Sequence, residues 1–269
     1  MPATATAVQT SDEPILLRQD AEGIATVTLN RPKQYNSLSE ELLTELQSTL
    51  DAIGKDESVR VVVIAGAGSA FCAGHDLKQM RANPRKDYYD KLFAQCSNVM
   101  MKLLRLPQPV IARVHGIATA AGCQLVAQCD LAVASDAARF AVSGINVGLF
   151  CSTPSVSLGR NVSRKEAMEM LLTGDFIDAA TAKERGLVNR VVPADSLDAE
   201  VKALAAAIIK KSTVAVTTGK KMFYKQIEMG MDAAYQYAAE VMACNMMAED
   251  VGEGIDAFMQ KRHPDWKHR

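Results

Sequence analysis

RVVVIAGAGSAFCAGHDL at residues 60–77 and PVIARVHGIATAAGCQLVAQCDLAVAS at residues 109–135 decide the reading of this chain. Each opens on an apolar run, over 60–65 and 110–114, and passes into a loop of small residues. A strand covered on both faces has no polar side to alternate with, so it reads as a continuous β-branched run. The second stretch continues into a helix beginning near Ala121 and a further strand at 131–134. Strands alternating with helices imply right-handed crossovers and a mainly parallel sheet, hence an α/β fold. The two loops, Ser69–Leu77 and His115–Gln124, bear on chemistry too. Small side chains let a ligand approach the backbone, and a helix start offers unpaired N–H groups in a favourable dipole. Two such loops aimed at one oxygen would form an oxyanion hole. Taken singly, each is more readily read as a structural glycine turn.

Outward from these stretches, ILLR (15–18) and IATVTLN (24–30) predict a hairpin turned at Glu22-Gly23. After NRPKQYNS, the residues Leu42, Leu43, Leu46, Leu50 and Ile53 follow one helical face. Ser37 with Glu40 fits a capping box, with Ser39 as a competing cap. Residues 88–105 read as a helix that Pro107 and Pro109 terminate. Beyond residue 162 helical patterns dominate, over 164–173, 178–185, 197–211, 214–229, 231–248 and 251–261, with one apolar run at Val188–Val192. The chain therefore divides into a flexible tail (1–13), an α/β core (14–195) and a helical region (196–269).

The 269 residues carry a net charge of -1 and are 48% hydrophobic, so no global field favours nucleic acid or an anionic membrane. Lys210-Lys211 and Lys220-Lys221 are too sparse to favour RNA. The six cysteines have no CxxC pair and only four histidines beside them, so no metal site is expected. Met-rich stretches in the predicted helices read as packing. No apolar run reaches the roughly 18 residues of a membrane span. MPATATAVQTSDEP has no Lys or Arg and no apolar core, which points to a cytoplasmic protein with reduced thiols.

FCAGHDL and HGIATAAGCQLVAQCDLAVAS together resemble the paired signature of the enoyl-CoA hydratase/isomerase, or crotonase, family. The likeness extends through LNRPKQYNSLS, FAVSGINVGL, LLTGDFIDAATAKERGLVNRVV and EGIDAFMQKR, over about residues 15–262. It implies a crotonase (ClpP-like) spiral of ββα units with a helical C-terminal trimerisation region. It also implies a homotrimer or dimer of trimers that binds an acyl-CoA, with coenzyme A entering as part of the substrate and no further cofactor. Carried over residue by residue, the oxyanion-hole amides are those of His75 and Ala121, the His75 imidazole packing in its loop. Arg31, Lys33 and Asn36 match the stretch meeting the nucleotide, and Ala73, Gly74, Asp76 and Leu77 the adenine and pantetheine region, with Gly122 beside the second donor. Arg31, Lys33 and Lys78 suit phosphate. Phe258 and Lys261 match a nucleotide contact that often crosses a subunit boundary.

Two positions depart from the family pattern. A family hydratase uses two glutamates, where this chain has Gln124 and, in FAVSGINVG, Gly144. Neither exchanges a proton near neutral pH. General acid–base help typically contributes about 10²–10⁴-fold, so hydration is expected to be weak or absent. AAGCQLVA and NVGLFCSTP resemble one subgroup of the family that shares both replacements. Cys151 and Ser152 lie where some family isomerases place an aspartate, and no local base activates either. Asp130 reads as a capping residue at a helix-to-strand turn. The alternatives are a non-catalytic acyl-CoA binder or regulatory protein, or another acyl-CoA reaction such as thioester hydrolysis.

Overall fold

The computed structural model describes residues 13–269, so the tail read over 1–13 lies outside the described residues except for Glu13. β1 (Leu16–Ala21) and β2 (Ile24–Leu29) form the expected antiparallel hairpin. Three strand pairs then place one strand in each of two sheets: β3 (Val61–Gly66) with β4 (Ala70–Cys72), β5 (Val110–Val114) with β6 (Ile117–Thr119), and β7 (Leu131–Ser135) with β8 (Arg139–Ala141). β9 (Ile177–Asp178) and β10 (Arg190–Val192) complete them. The larger sheet runs β1-β2-β3-β5-β7-β10, parallel throughout except for the hairpin. The smaller runs β4-β6-β8-β9, with β9 antiparallel.

Helices α1 (Glu40–Ile53), α2 (Leu77–Ala82), α3 (Lys86–Arg105), α4 (Ala121–Gln128), α5 (Ser152–Leu158), α6 (Arg164–Thr173), α7 (Ala179–Glu184) and α8 (Leu197–Ile209) surround the sheets. The apolar run of β3 is explained by its two neighbours. Val62 and Ile64 join the main core, which holds Leu42, Leu46 and Leu50 of α1. Val61 and Val63 face the opposite way, against Leu197, Val201 and Ala205 of α8. Both faces of the strand are buried, which is why its sequence does not alternate.

α9 (Thr213–Gln226), α10 (Met231–Asn245) and α11 (Glu249–Met259) follow. α9 and α10 bury no residue fully, and Phe223, Ile227, Met231, Tyr235 and Met242 stand exposed. α9 is nonetheless tied to the core. Lys220 Nζ donates to Asp130 at 2.7 Å and to the carbonyls of Leu103 and Gln108, both at 2.9 Å. Asp130 also accepts from the Val110 amide. It is thus structural, and it acts between distant segments rather than as a cap of its own turn.

Two expectations need correction. Ser39 is the cap of α1, accepting from the Leu42 amide, so the Ser37–Glu40 box does not form. The loops 69–77 and 115–124 are not wholly irregular, since each contains a three-residue strand of the smaller sheet.

Candidate active site

The smaller sheet brings the two small-residue loops together. Leu38 pairs with the segment beyond β4: its amide donates to Gly74 O, and the Asp76 amide donates to Leu38 O. In a parallel pairing of this kind the residue between, His75, turns its own N–H to the other side. That side faces the start of α4. A Cβ built on Gly74, at φ +90°, would lie 2.8 Å from Ala120 Cβ and 3.2 Å from Ala121 N. A Cβ on Gly122 would meet Cys72 O at 2.0 Å. Only glycine permits these approaches.

Ala120 sits at φ 51°, ψ -121°, immediately before α4. A side-chain-bearing residue is held there at a cost of about 1–3 kcal/mol, and such strain gathers at functional sites. The conformation turns Ala121 N out as the first free amide of the helix. Among the described residues, the amides of His75 and Ala121 meet no acceptor. They are adjacent, preorganised donors suited to one oxygen atom.

Ala121, Gln124 and Gln128 share one face of α4, being three and four residues apart. Gln128 accepts from Ser157 of α5, which sets that face toward α5 and the turn before it. Gln124 is 4% exposed, and its Oε1 is buried with no partner among the described residues. The turn holds Gly144, whose amide donates to Cys151 Sγ at 3.3 Å. A Cβ on Gly144 would sit 2.6 Å from Leu149 O and 2.7 Å from Cys151 Sγ. The space beside Gly144 is therefore filled by backbone and thiol. Burial pushes the Cys151 thiol up, so it is protonated and a poor nucleophile near neutral pH. Ser152 is exposed and bonds Phe150 O. Beside Ala120, Thr119 and Ser143 join their hydroxyls at 2.7 Å, a contact no sequence spacing announces.

The His75 ring is edge-on to Phe93 with centroids 5.4 Å apart, and Tyr89 stacks on Phe93 in turn. Burial pushes its pKa down to about 4, so the imidazole is neutral. The ring packs against α3 through Phe93.

Arg31, Asn36 and Asp76 form an internal knot. Arg31 pairs with Asp76 at 3.0 Å and donates to Ser37 O. Asn36, fully buried, accepts from Arg31 N and donates to Ala67 O and Ala70 O. Asp76 caps α2 through the amides of Lys78 and Gln79. These residues hold the 31–39 and 74–77 loops together; Asn36 is too buried for a direct ligand contact. Ala73 is half-buried, while Lys33, Leu77 and Lys78 are exposed on those loops. Phe258 and Lys261, exposed at the end of α11, hydrogen-bond to none of the other candidate residues.

Two sheets wound from repeated ββα turns, with paired amides at the end of β4 and the start of α4, define a crotonase fold. Residues 19–269 match the family model for enoyl-CoA hydratase/isomerase, and the chain belongs to that family. It is 46% identical over 95% of its length to the enoyl-CoA hydratase domain-containing protein 3, mitochondrial, of Xenopus laevis, covering 87% of that relative. Among solved structures it is similar to an enoyl-CoA hydratase of Mycobacterium smegmatis: 59% identity, TM-score 0.93, covering 94% of this chain and 99% of that one. Human enoyl-CoA hydratase domain-containing protein 3 gives 44% identity and a TM-score of 0.91, covering 94% of this chain and 100% of that one. The likeness of AAGCQLVA and NVGLFCSTP to one subgroup is thus to the domain-containing protein 3 group. No described helix is long and apolar enough to cross a membrane, and the described residues hold no cluster of potential metal ligands.

Proposed function

We propose that this chain binds an acyl-CoA thioester and polarises its carbonyl with the amides of His75 and Ala121. The observation that carries this reading is the pair of unpartnered, adjacent amides, one of them presented by the strained Ala120. Exposed Lys33 and Lys78 on the neighbouring loops supply cations for the nucleotide phosphates. Coenzyme A arrives with the substrate, and no other cofactor is required. With Gln124 and Gly144 in place of carboxylates, water lacks a base and the α-carbon lacks an acid, so hydration is weak or absent. The apolar side chains left exposed on α9 and α10 support assembly as a homotrimer or dimer of trimers. The net charge of -1 offers no field for nucleic acid or an anionic membrane, and the vertebrate relatives' names place those proteins in mitochondria.

A second reading, a non-catalytic acyl-CoA binder, is favoured by the filled space at Gly144, where no acid or base can stand. Calorimetry with acetyl-, crotonyl- and longer acyl-CoAs tests the binding. No heat of binding to any of them by the folded oligomer would refute it. Turnover of crotonyl-CoA at tens per second or faster, ordinary for an enzyme, would refute the assignment of weak hydration to Gln124 and Gly144. Binding without turnover of any thioester selects the second reading.

A further inference from the structure

We infer that Thr119 and Ser143 are positioning residues: the hydrogen bond between their hydroxyls holds Ala120 in its strained conformation and so sets the direction of the Ala121 amide. The inference rests on the reading above and adds the side chains that keep one of its two donors aimed. Ala120 lies at φ 51°, ψ -121°, a combination open to glycine and disfavoured for a residue with a Cβ. Such a residue keeps its conformation only where its surroundings over-determine it. Its own methyl cannot help. Along residues 116–122 the Thr119 side chain alone can form a hydrogen bond. Thr119 is 9% exposed, and its hydroxyl meets that of Ser143 at 2.7 Å.

Two backbone bonds flank the strained residue. Gln124 N donates to Ala120 O at 3.1 Å, within the first turn of α4, and Ala120 N donates to Ala141 O at 3.0 Å. On the strand side the hold is short, because β6 has only three residues. Thr119 pairs with Ala141 across the smaller sheet, and its hydroxyl reaches Ser143 two residues further on. Thr119 and Ala120 are thus fastened to one stretch, 141–143, and the Thr119–Ser143 bond is its side-chain tie. The ψ angle of Ala120 orients the peptide that carries Ala121 N. Without the tie, Ala120 is free to relax toward negative φ, which rotates that peptide and turns its N–H off the shared oxygen position. A donor stabilises charge only along its own direction, so the hydroxyl pair acts on the carbonyl without touching it.

The test uses the full-length oligomer with 2,4-hexadienoyl-CoA, whose absorption moves to longer wavelength as its carbonyl oxygen gains charge. At saturating ligand the shift should shrink in Thr119→Val, which keeps the shape and loses the hydroxyl, and in Ser143→Ala. Affinity should weaken by roughly threefold to tenfold, the worth of one neutral hydrogen bond. Thr119→Ser keeps the hydroxyl and should restore the shift. The double variant Thr119→Val with Ser143→Ala should match either single one, since both remove the same bond. An unchanged shift in either single variant overturns the inference, even where Tm falls, because a merely structural bond would lower Tm alone. Ser143 is half-buried at the start of a turn, so Ser143→Ala decides the matter should Thr119→Val not fold. A bound probe with no shift in the unaltered protein refutes the paired-amide reading itself, and this inference falls with it.

Discussion

The packing at Gly144 sets a quantitative expectation for Gly144→Ala. The glycine has ordinary backbone angles, so the cost is one of space rather than of conformation. The added Cβ meets Leu149 O at 2.6 Å and Cys151 Sγ at 2.7 Å, whereas ordinary contacts begin at 3.4 Å. The carbonyl must therefore retreat by about 0.8 Å and the thiol by about 0.7 Å. The thiol can swing. The carbonyl cannot do so freely, because Leu149 N also donates to Gly144 O and closes the turn. Overpacking of this kind costs about 1–3 kcal/mol, and the backbone clash favours the upper half. For a chain of this length about 2–3 kcal/mol lowers Tm by roughly 4–12 °C. Cys151→Ala in the same chain removes one of the two clashes and should recover part of the loss. Thermal unfolding followed by circular dichroism measures both. A Gly144→Ala protein whose Tm stays within about a degree of the unaltered chain would refute the reasoning. The same clash means that Gly144→Glu should not restore hydration of crotonyl-CoA, alone or with Gln124→Glu.

Lys220→Met should cost about 3 kcal/mol by leaving the largely enclosed Asp130 without its cation, and Lys220→Met with Asp130→Leu should recover most of it in urea unfolding. Asn36→Ala should cost about 2–4 kcal/mol, since one substitution strips three backbone groups of their partner; an unchanged urea midpoint would contradict this. His75 predicts a pH dependence. Its folded pKa of about 4 lies below the ordinary imidazole value of 6.5, so the unfolded chain binds the extra proton first as pH falls. Stability should therefore decline from pH 6.5 toward pH 4, by up to roughly 3 kcal/mol from this residue. Tm of His75→Phe should fall less between pH 7 and pH 5 than that of the unaltered chain, and parallel curves would count against a buried neutral imidazole.

The longer elements were legible because their patterns are. β3, β5 and β7 announce themselves as apolar runs, and the helices from α6 to α11 lie within a few residues of their predicted spans. The smaller sheet was not legible as strands, because a three-residue strand such as Ala70–Cys72 is too short to show any period. α2 and α5, of six and seven residues, escaped for the same reason. At the site, the donor positions came from motif likeness, but nothing in Thr-Ala-Ala-Gly signals that Ala120 adopts a positive φ. The Arg31–Asp76 pair joins residues 45 apart and depends on tertiary approach alone. Likewise, only packing reveals that the room beside Gly144 is already taken.

The Lys220 anchor bears on how this chain can be cut or recombined. Its ammonium serves two carbonyls at the end of the α3 connection and a carboxylate just after α4, all in the first half of the sequence. A fragment ending near residue 195 would strand Asp130, and an isolated C-terminal fragment would carry a cation into a helix with no core of its own. The two halves are therefore poor modules. A chimera that grafts another family member's assembly helices onto this core must bring a lysine at the same turn of α9, or replace Asp130 at the same time.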